Sequence, residues 1–302
     1  MSVVANAILG EVRSTSAPAR RNEWKYFIPD MLYSAVADDS RQFLQRDPHA
    51  AANGRYLVRT MYFDTPFHDT YHARTNGNPF RSRLRLRRYE TAEQPPSDWF
   101  LEIKGKAKVA CFKTDRVVLS DDVVRDHLRQ YGTLSVKHLL ERDAAPVADH
   151  LAELWSQPLQ PKLLVLYDRE PLCDPRKPEF RVTFDSQIRT VSTRDPYERV
   201  SPTRRILDSV VMEAKFGPSM PMWLHAVIQK YALRQVGLSK YCMGIDSRFS
   251  AAPDLETHVQ LPLQQPAGSS FGAALRALLG CQRPADRAWE TVAVRPSMRL
   301  DT

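Results

Sequence analysis

Cysteine is scarce in this 302-residue chain and long apolar runs are missing. The four cysteines, Cys111, Cys173, Cys242 and Cys281, form no Cys-x-x-Cys pair. Neither a zinc site nor a disulfide framework is therefore expected, and they read as reduced thiols of a cytoplasmic protein. No stretch reaches the ~18 consecutive apolar residues that a membrane span needs. The short apolar patch from Val3 to Leu9 has no cationic segment before it, which argues against a secretory signal. A glycine-rich phosphate loop, a Gly-x-Ser-x-Gly nucleophile elbow and a repeat at solenoid period are also absent, so any nucleotide has to be held by side chains. His68 and His72 share a helix face, but Asp69 stands where a zinc protease needs Glu, and a third ligand is missing.

What the chain does have is positive charge. Its 43 Lys+Arg exceed its 35 Asp+Glu, for a net charge of +8. That balance points to an anionic partner: nucleic acid, anionic lipid or polyphosphate. The 43% hydrophobic content suffices for a sizeable core.

The pattern along the chain predicts a leader over 1–20, a folded domain over 21–250 and a tail rich in Pro, Gln and Ala over 251–302, with a short helix at 270–280. Eight segments alternate as strands: 23–28, 56–63, 80–89, 98–106, 109–119, 162–170, 179–186 and 209–216. Eight antiparallel strands close a barrel just wide enough for side chains or one slim ligand. Flanking helices are expected near 30–45, 121–129, 146–156 and 221–236, which makes the fold class α+β. The last of these starts at Pro221, stops before Gly237 and carries an apolar stripe of Trp223, Val227 and Tyr231. Trp99, Trp155 and Trp223 read as core.

The parity of the charges is more informative than their number. In FRSRLRLRRYE, Arg81, Arg83, Arg85 and Arg87 share one face of a strand and Leu84 and Leu86 the other. Glu102, Lys104 and Lys106 oppose Leu101 and Ile103. Glu23 and Lys25 oppose Trp24 and Tyr26, and Tyr167 with Arg169 continues the series. Arg181, Thr183 and Asp185 oppose Val182 and Phe184, and Glu213 with Lys215 opposes Met212 and Ala214. A solvated face mixes signs, because like charges across strands repel. A face of Arg and Lys makes sense when a polyvalent anion lies along it, held by guanidinium forks and ammonium groups. The carboxylates that share this face, Glu23, Glu102, Asp185 and Glu213, suit a divalent cation bridging phosphate oxygens. Such a lining suits phosphoryl chemistry, which depends on positioning and charge neutralisation.

In order, EWKYFI (23–28), YFDT (62–65), YHAR (71–74), RLRLRRY (83–89), LEIKGK (101–106), YDRE (167–170), FRVTFD (180–185), VMEAKF (211–216) and LSKY (238–241) resemble the triphosphate tunnel metalloenzymes. Within that superfamily they are most similar to the catalytic domain of the vacuolar transporter chaperone (VTC) polyphosphate polymerases. The resemblance implies an eight-stranded antiparallel tunnel. It implies phosphate contacts from Lys25, Arg74, Arg83, Arg85, Arg87, Lys104, Lys106, Lys113, Arg169, Arg181, Lys215 and Lys240. It further implies that Arg85, Arg87, Lys104, Arg169, Arg181 and Glu213 carry catalysis, and that Glu213, with Glu23 and Glu102, holds Mn²⁺ or Mg²⁺. Lys113 and Arg116 fall on opposite faces of a regular strand, and Lys113 is favoured as the inward one. Arg59 is a further candidate for the inner face. Arg21 stands where the thiamine-triphosphatase and adenylate-cyclase branch has the first Glu of Glu-x-Glu-x-Lys, which favours the polymerase type.

The implied substrates are ATP and polyphosphate. Neither an inositol-phosphate-sensing domain nor membrane helices are evident, so a stand-alone catalytic domain is expected, with any product channel supplied by another protein. A membrane-protein partner and a homo-oligomer both stay open. A tripolyphosphate or nucleoside triphosphate hydrolase of the same fold is the alternative activity, and a non-catalytic polyphosphate-binding module the alternative class. Nucleic-acid binding is disfavoured, because the basic residues alternate inside strands without interleaved stacking aromatics and no RNP-like motif occurs.

Overall fold

A computed structural model describes residues 22–107, 110–113, 117–143, 158–201 and 205–248. The expected leader, the helix at 146–156 with Trp155, Arg116 and the 251–302 tail lie outside the described residues. Among the described residues, ten strands form one antiparallel sheet. In chain order they begin with β1 (Asn22–Pro29), helix α1 (Asp30–Arg41), the two-residue β2 (Gln45–Arg46) and β3 (Tyr56–Asp64). Helix α2 (Asp69–Thr75) then leads to β4 (Phe80–Glu90), β5 (Trp99–Ala107), β6 (Ala110–Lys113) and β7 (Val117–Leu119). Helices α3 (Asp121–Tyr131) and α4 (Val136–Asp143) precede the long β8 (Gln160–Asp174) and β9 (Lys177–Val191). Strand β10 (Ser209–Phe216), α5 (Met222–Lys230) and α6 (Lys240–Asp246) complete the domain.

The hydrogen-bonded path runs β1-β10-β9-β8-β3-β4-β5-β6, with β2 added to β8 and β7 to β5. Eight strands therefore make the path, as expected. The expected closure does not follow: among the described residues no pairing joins β1 to β6, so the barrel is a curled sheet left open between these two edges. The curl still brings the ends together, because Glu23 on β1 accepts a hydrogen bond from Lys104 Nζ on β5 at 2.8 Å. The single strand expected over 109–119 is divided into β6 and β7, each paired with a different part of β5.

Period-two alternation sorts the side chains into an outer and an inner face. Outside, Met61, Leu84, Leu86, Trp99, Leu101 and Ile103 pack beneath α3 and α4. Helix α3 starts at Ser120, whose hydroxyl accepts from Val123 N, and ends at Gly132, whose φ of 67° suits glycine. On the opposite flank, Tyr26, Ile28, Val182, Phe184, Met212 and Ala214 pack against α1 and α5. Trp99 is fully buried and Trp223 half-buried against these clusters, as expected. Helix α5 is shorter than the predicted 221–236. Ala232 adopts φ 49°, after which Gln235 bridges to Tyr26 and Val236 N donates to Lys25 O. Pairing with β1 offers those backbone groups partners that another helical turn would not.

The third core cluster lies on the inner face. Val58, Tyr62, Leu163, Val165, Ile188 and Val211 meet Leu238, Tyr241, Cys242 and Ile245, so α6 fills part of the lumen. Gly244 makes this approach feasible: a Cβ there would lie 2.6 Å from Leu163 Cδ2 and 2.9 Å from Thr190 Cγ2.

Candidate active site

The inner face gathers charge from strands far apart in sequence. Register places Arg83 opposite Lys104, Arg85 opposite Glu102, and Arg87 opposite Phe100. Across the lumen, Lys25 pairs with Glu213, which in turn faces Thr183, and Arg169 faces Asp185. Helix α6 adds Lys240 from the inside.

Three sets of ion pairs organise these groups. Arg169 donates from Nε and Nη2 to the two oxygens of Asp185 at 2.6 and 2.8 Å, and Lys240 Nζ donates to the same carboxylate at 2.6 Å. Asp185 is fully buried, and burial alone would raise its pKa, but Arg169 and Lys240 outweigh that and hold it low. Arg85 Nε donates to Glu102 at 2.6 Å, and Glu102 is itself buried. The third set joins Glu23, Glu213, Lys25, Lys104 and Lys215. Lys25 Nζ lies 3.1 Å from Glu23 and 4.0 Å from Glu213, and Lys215 Nζ lies 2.9 Å from Glu213. Burial and the Glu213 charge push Glu23 up, yet Lys25, Lys104 and Lys215 together bring it down to about 2. Burial likewise raises Glu213, and the same lysines with Arg169 keep it well below the usual carboxylate range. Lys104 shows the opposite strain. Burial and the neighbouring Lys25 lower it to about 8, against the pull of Glu23 and Glu213.

Tyr62 reports the field most directly. It is buried on β3, where burial should raise its phenol, but Arg85, Arg87, Arg83 and Lys240 draw it down to about 8. Its ring and that of Tyr241 carry the Arg83 guanidinium, 5.8 and 4.7 Å from the two ring centres. Arg83 Nη1 donates to Ser239 at 2.9 Å, but its buried Nε has no hydrogen-bond partner among the described residues, and neither has the buried Thr183 hydroxyl. Buried donors without protein partners inside a cationic lumen suit an anionic ligand.

The structure therefore brings together Lys25, Arg83, Arg85, Arg87, Lys104, Arg169 and Lys240 with Glu23, Glu102 and Glu213. Arg74, on α2, donates from Nη2 to Gly237 O and supports the turn before α6. Arg181 and Lys215 sit toward solvent on the same face, with side chains 54% and 42% exposed. Lys106 and Lys113 occupy inner-face register positions on β5 and β6, opposite Cys111 and Lys104, and their side chains lie outside the described residues. Arg59 is a correction. Its parity with Tyr62 is odd, and it points outward to Glu90 at 2.7 Å and to the carbonyl of Glu198 at 2.9 Å. Sequence reasoning placed Asp185 among the face's carboxylates but missed its part in tethering Arg169 and Lys240. It also gave no role to Tyr62 or Tyr241, although Tyr62 shares the inward parity of Thr60.

Among the described residues no group of three or more His, Cys, Asp or Glu is placed to hold a metal. Arg85 holds Oε1 of Glu102, and Lys25, Lys104 and Lys215 hold Glu23 and Glu213. Glu23 and Glu213 are two ionised carboxylates facing one lumen, a donor set that fits an ion such as Mg²⁺ or Mn²⁺ whose other ligands are phosphate oxygens and water. A cavity of about 540 Å³ lined by Arg125, Arg129, Arg194 and Tyr197 lies outside the lumen, and its Arg125 and Arg129 are already paired with Asp121 and Asp126.

The chain matches the VTC domain over residues 20–249, which takes in the whole charged lumen, and it belongs to that family. No curated protein matches it significantly. Among solved structures, a candidate adenylate cyclase from Bacillus halodurans is 14% identical, covering 73% of this chain and 93% of its own, with a TM-score of 0.45. A candidate adenylyl cyclase from Hippeastrum, described as having a dominant triphosphatase activity, is 14% identical over 74% of this chain and 95% of its own, at a TM-score of 0.43. Similarities this low leave the activity of this chain to be argued from its own residues. No described helix is long and apolar enough to cross a membrane.

Proposed function

We propose that the protein is a metal-dependent polyphosphate polymerase that transfers the γ-phosphoryl group of ATP to the end of a polyphosphate chain. The observation that carries this reading is the lumen itself: Arg83, Arg85, Arg87, Lys104, Arg169 and Lys240 converge there, and the field is positive enough to lower a buried tyrosine to about 8. A terminal phosphate oxygen of the chain attacks the γ-phosphorus, the bond to the β–γ bridging oxygen breaks, and ADP leaves. The nucleophile is already an anion, so no general base is required. Arg85, Arg87 and Arg169 align the phosphates and neutralise charge that moves onto the leaving oxygen. Arg83 and Lys104 hold the acceptor chain. Glu213 and Glu23 would hold Mg²⁺ or Mn²⁺, which supplies further neutralisation of the phosphate oxygens.

A hydrolase needs a carboxylate able to accept a proton from water. Glu23, at about 2, is a weak base, and Glu102 accepts from Arg85 through Oε1, which lowers its basicity. Both facts favour transfer over hydrolysis. The test is incubation with γ-labelled ATP and Mn²⁺ followed by gel analysis with and without an exopolyphosphatase. Wild type should give a phosphatase-sensitive ladder that an Arg85→Ala/Glu213→Gln variant does not make. Free phosphate without a ladder would assign the hydrolase instead. Polyphosphate bound with no turnover would assign a binding module.

A further inference from the structure

Along β4 the inner face reads Arg81, Arg83, Arg85, Arg87 and then Tyr89. The two flanking strands each bring one further ring to this level. Phe100 pairs with Arg87 from β5, and Tyr56 pairs with Arg169 from β3. The three rings form a continuous arc: Tyr56 meets Tyr89 edge to face with centroids 5.3 Å apart, and Tyr89 meets Phe100 at 6.0 Å. All three are half-buried, unlike the sealed aromatics Trp99 and Tyr241. Alternation on β5 turns Trp99 and Leu101 into the outer core and leaves Phe100 on the lumen side.

We infer that this arc is a nucleoside collar, on which the base of a bound nucleoside triphosphate stacks while its phosphates run inward past Arg87 and Arg169. The inference rests on the phosphate-binding reading of the lumen and adds the part of the substrate that phosphate chemistry leaves out. A bare phosphate chain gains nothing from π surface, and cations would serve it better along the whole tunnel. Two residues of strand advance about 7 Å, so Tyr89 and Phe100 stand within a nucleoside's reach of phosphates held at Arg87. Ring faces accept any base, and the larger purines stack best. The collar also sets a direction: with the base at Tyr89, the γ-phosphate points toward Arg85 and Arg83, and the product leaves past Arg81.

The test is calorimetric titration of the full chain with a non-hydrolysable β,γ-imido ATP analogue and, separately, with inorganic tripolyphosphate. The variants are Tyr89→Leu and Phe100→Leu, which keep apolar volume but remove the ring. Each should weaken the ATP analogue by about 10-fold, the scale of one base–aromatic stack, and leave tripolyphosphate within about 2-fold of wild type. Tyr89→Phe should bind both ligands as wild type does. Unchanged affinity for the ATP analogue in both leucine variants would overturn the collar, and so would equal losses for the two ligands, which mark a merely structural role. Wild type that binds tripolyphosphate but not the ATP analogue would overturn the collar and ATP as the donor, and would leave the phosphate-binding lumen standing. Binding of neither would overturn the phosphate-tunnel reading and the collar with it.

Discussion

Tyr62 shows how a single side chain can report on a whole site. Its phenol carries a pKa of about 8 because four cations face it, so it is neutral below that pH and a phenolate above it. A phenolate adds negative charge to a lumen that receives anions, and a bound anion raises the pKa again. Binding therefore takes up a proton above about pH 8, and affinity falls as pH rises. Metal-free tripolyphosphate titrations between pH 7 and 9.5 should show that fall, to which the loss of the Lys104 proton near pH 8 adds, so Tyr62→Phe should make it shallower without abolishing it. Asp185 poses a different residue-scale problem. It is buried and holds Arg169 and Lys240, so Asp185→Asn leaves two shielded cations without their carboxylate. Breaking a buried pair from one side costs about 3–5 kcal/mol. Thermal melts should show that loss, and tripolyphosphate should recover more stability in Asp185→Asn than in wild type, because the ligand replaces the missing charge.

At the scale of elements, β4 was legible from its letters. Alternation of arginine with leucine forces one charged and one apolar face, and β5 and β10 follow the same rule. Helix α6 was not legible. Only seven residues long, it carries no strong periodicity of its own, and it is placed by contacts with β8 and β9 that no local pattern announces. It decides where Lys240 and Tyr241 stand. Gly244→Ala would push a methyl group into Leu163 and Thr190, so a destabilisation of about 1–3 kcal/mol is expected in denaturant melts. Displacement of α6 should also weaken tripolyphosphate binding by pulling Lys240 from the lumen, an effect that a surface substitution such as Met222→Ala on α5 should not reproduce.

For the whole molecule, the net charge of +8 understates the electrostatics, because the cations that matter are concentrated on one concave face. Tripolyphosphate affinity should fall steeply between 50 and 300 mM salt, roughly linearly on a log–log plot, while the chain's melting temperature should rise as the ligand is added. A flat salt response would contradict a multivalent anion site. By itself the sequence determined which faces are basic, because strand parity is a local property with period two, and it determined the family through nine short motifs in order. Tertiary structure alone decided which carboxylates are occupied, since Glu102 meets Arg85 and Asp185 meets Lys240 only after the sheet has curled. It also decided that no pairing joins β1 to β6 among the described residues, that Arg59 faces out, and that three aromatic rings from separate strands line up beside Arg87. Those outcomes depend on register and curl, which are set by contacts between residues distant in the chain.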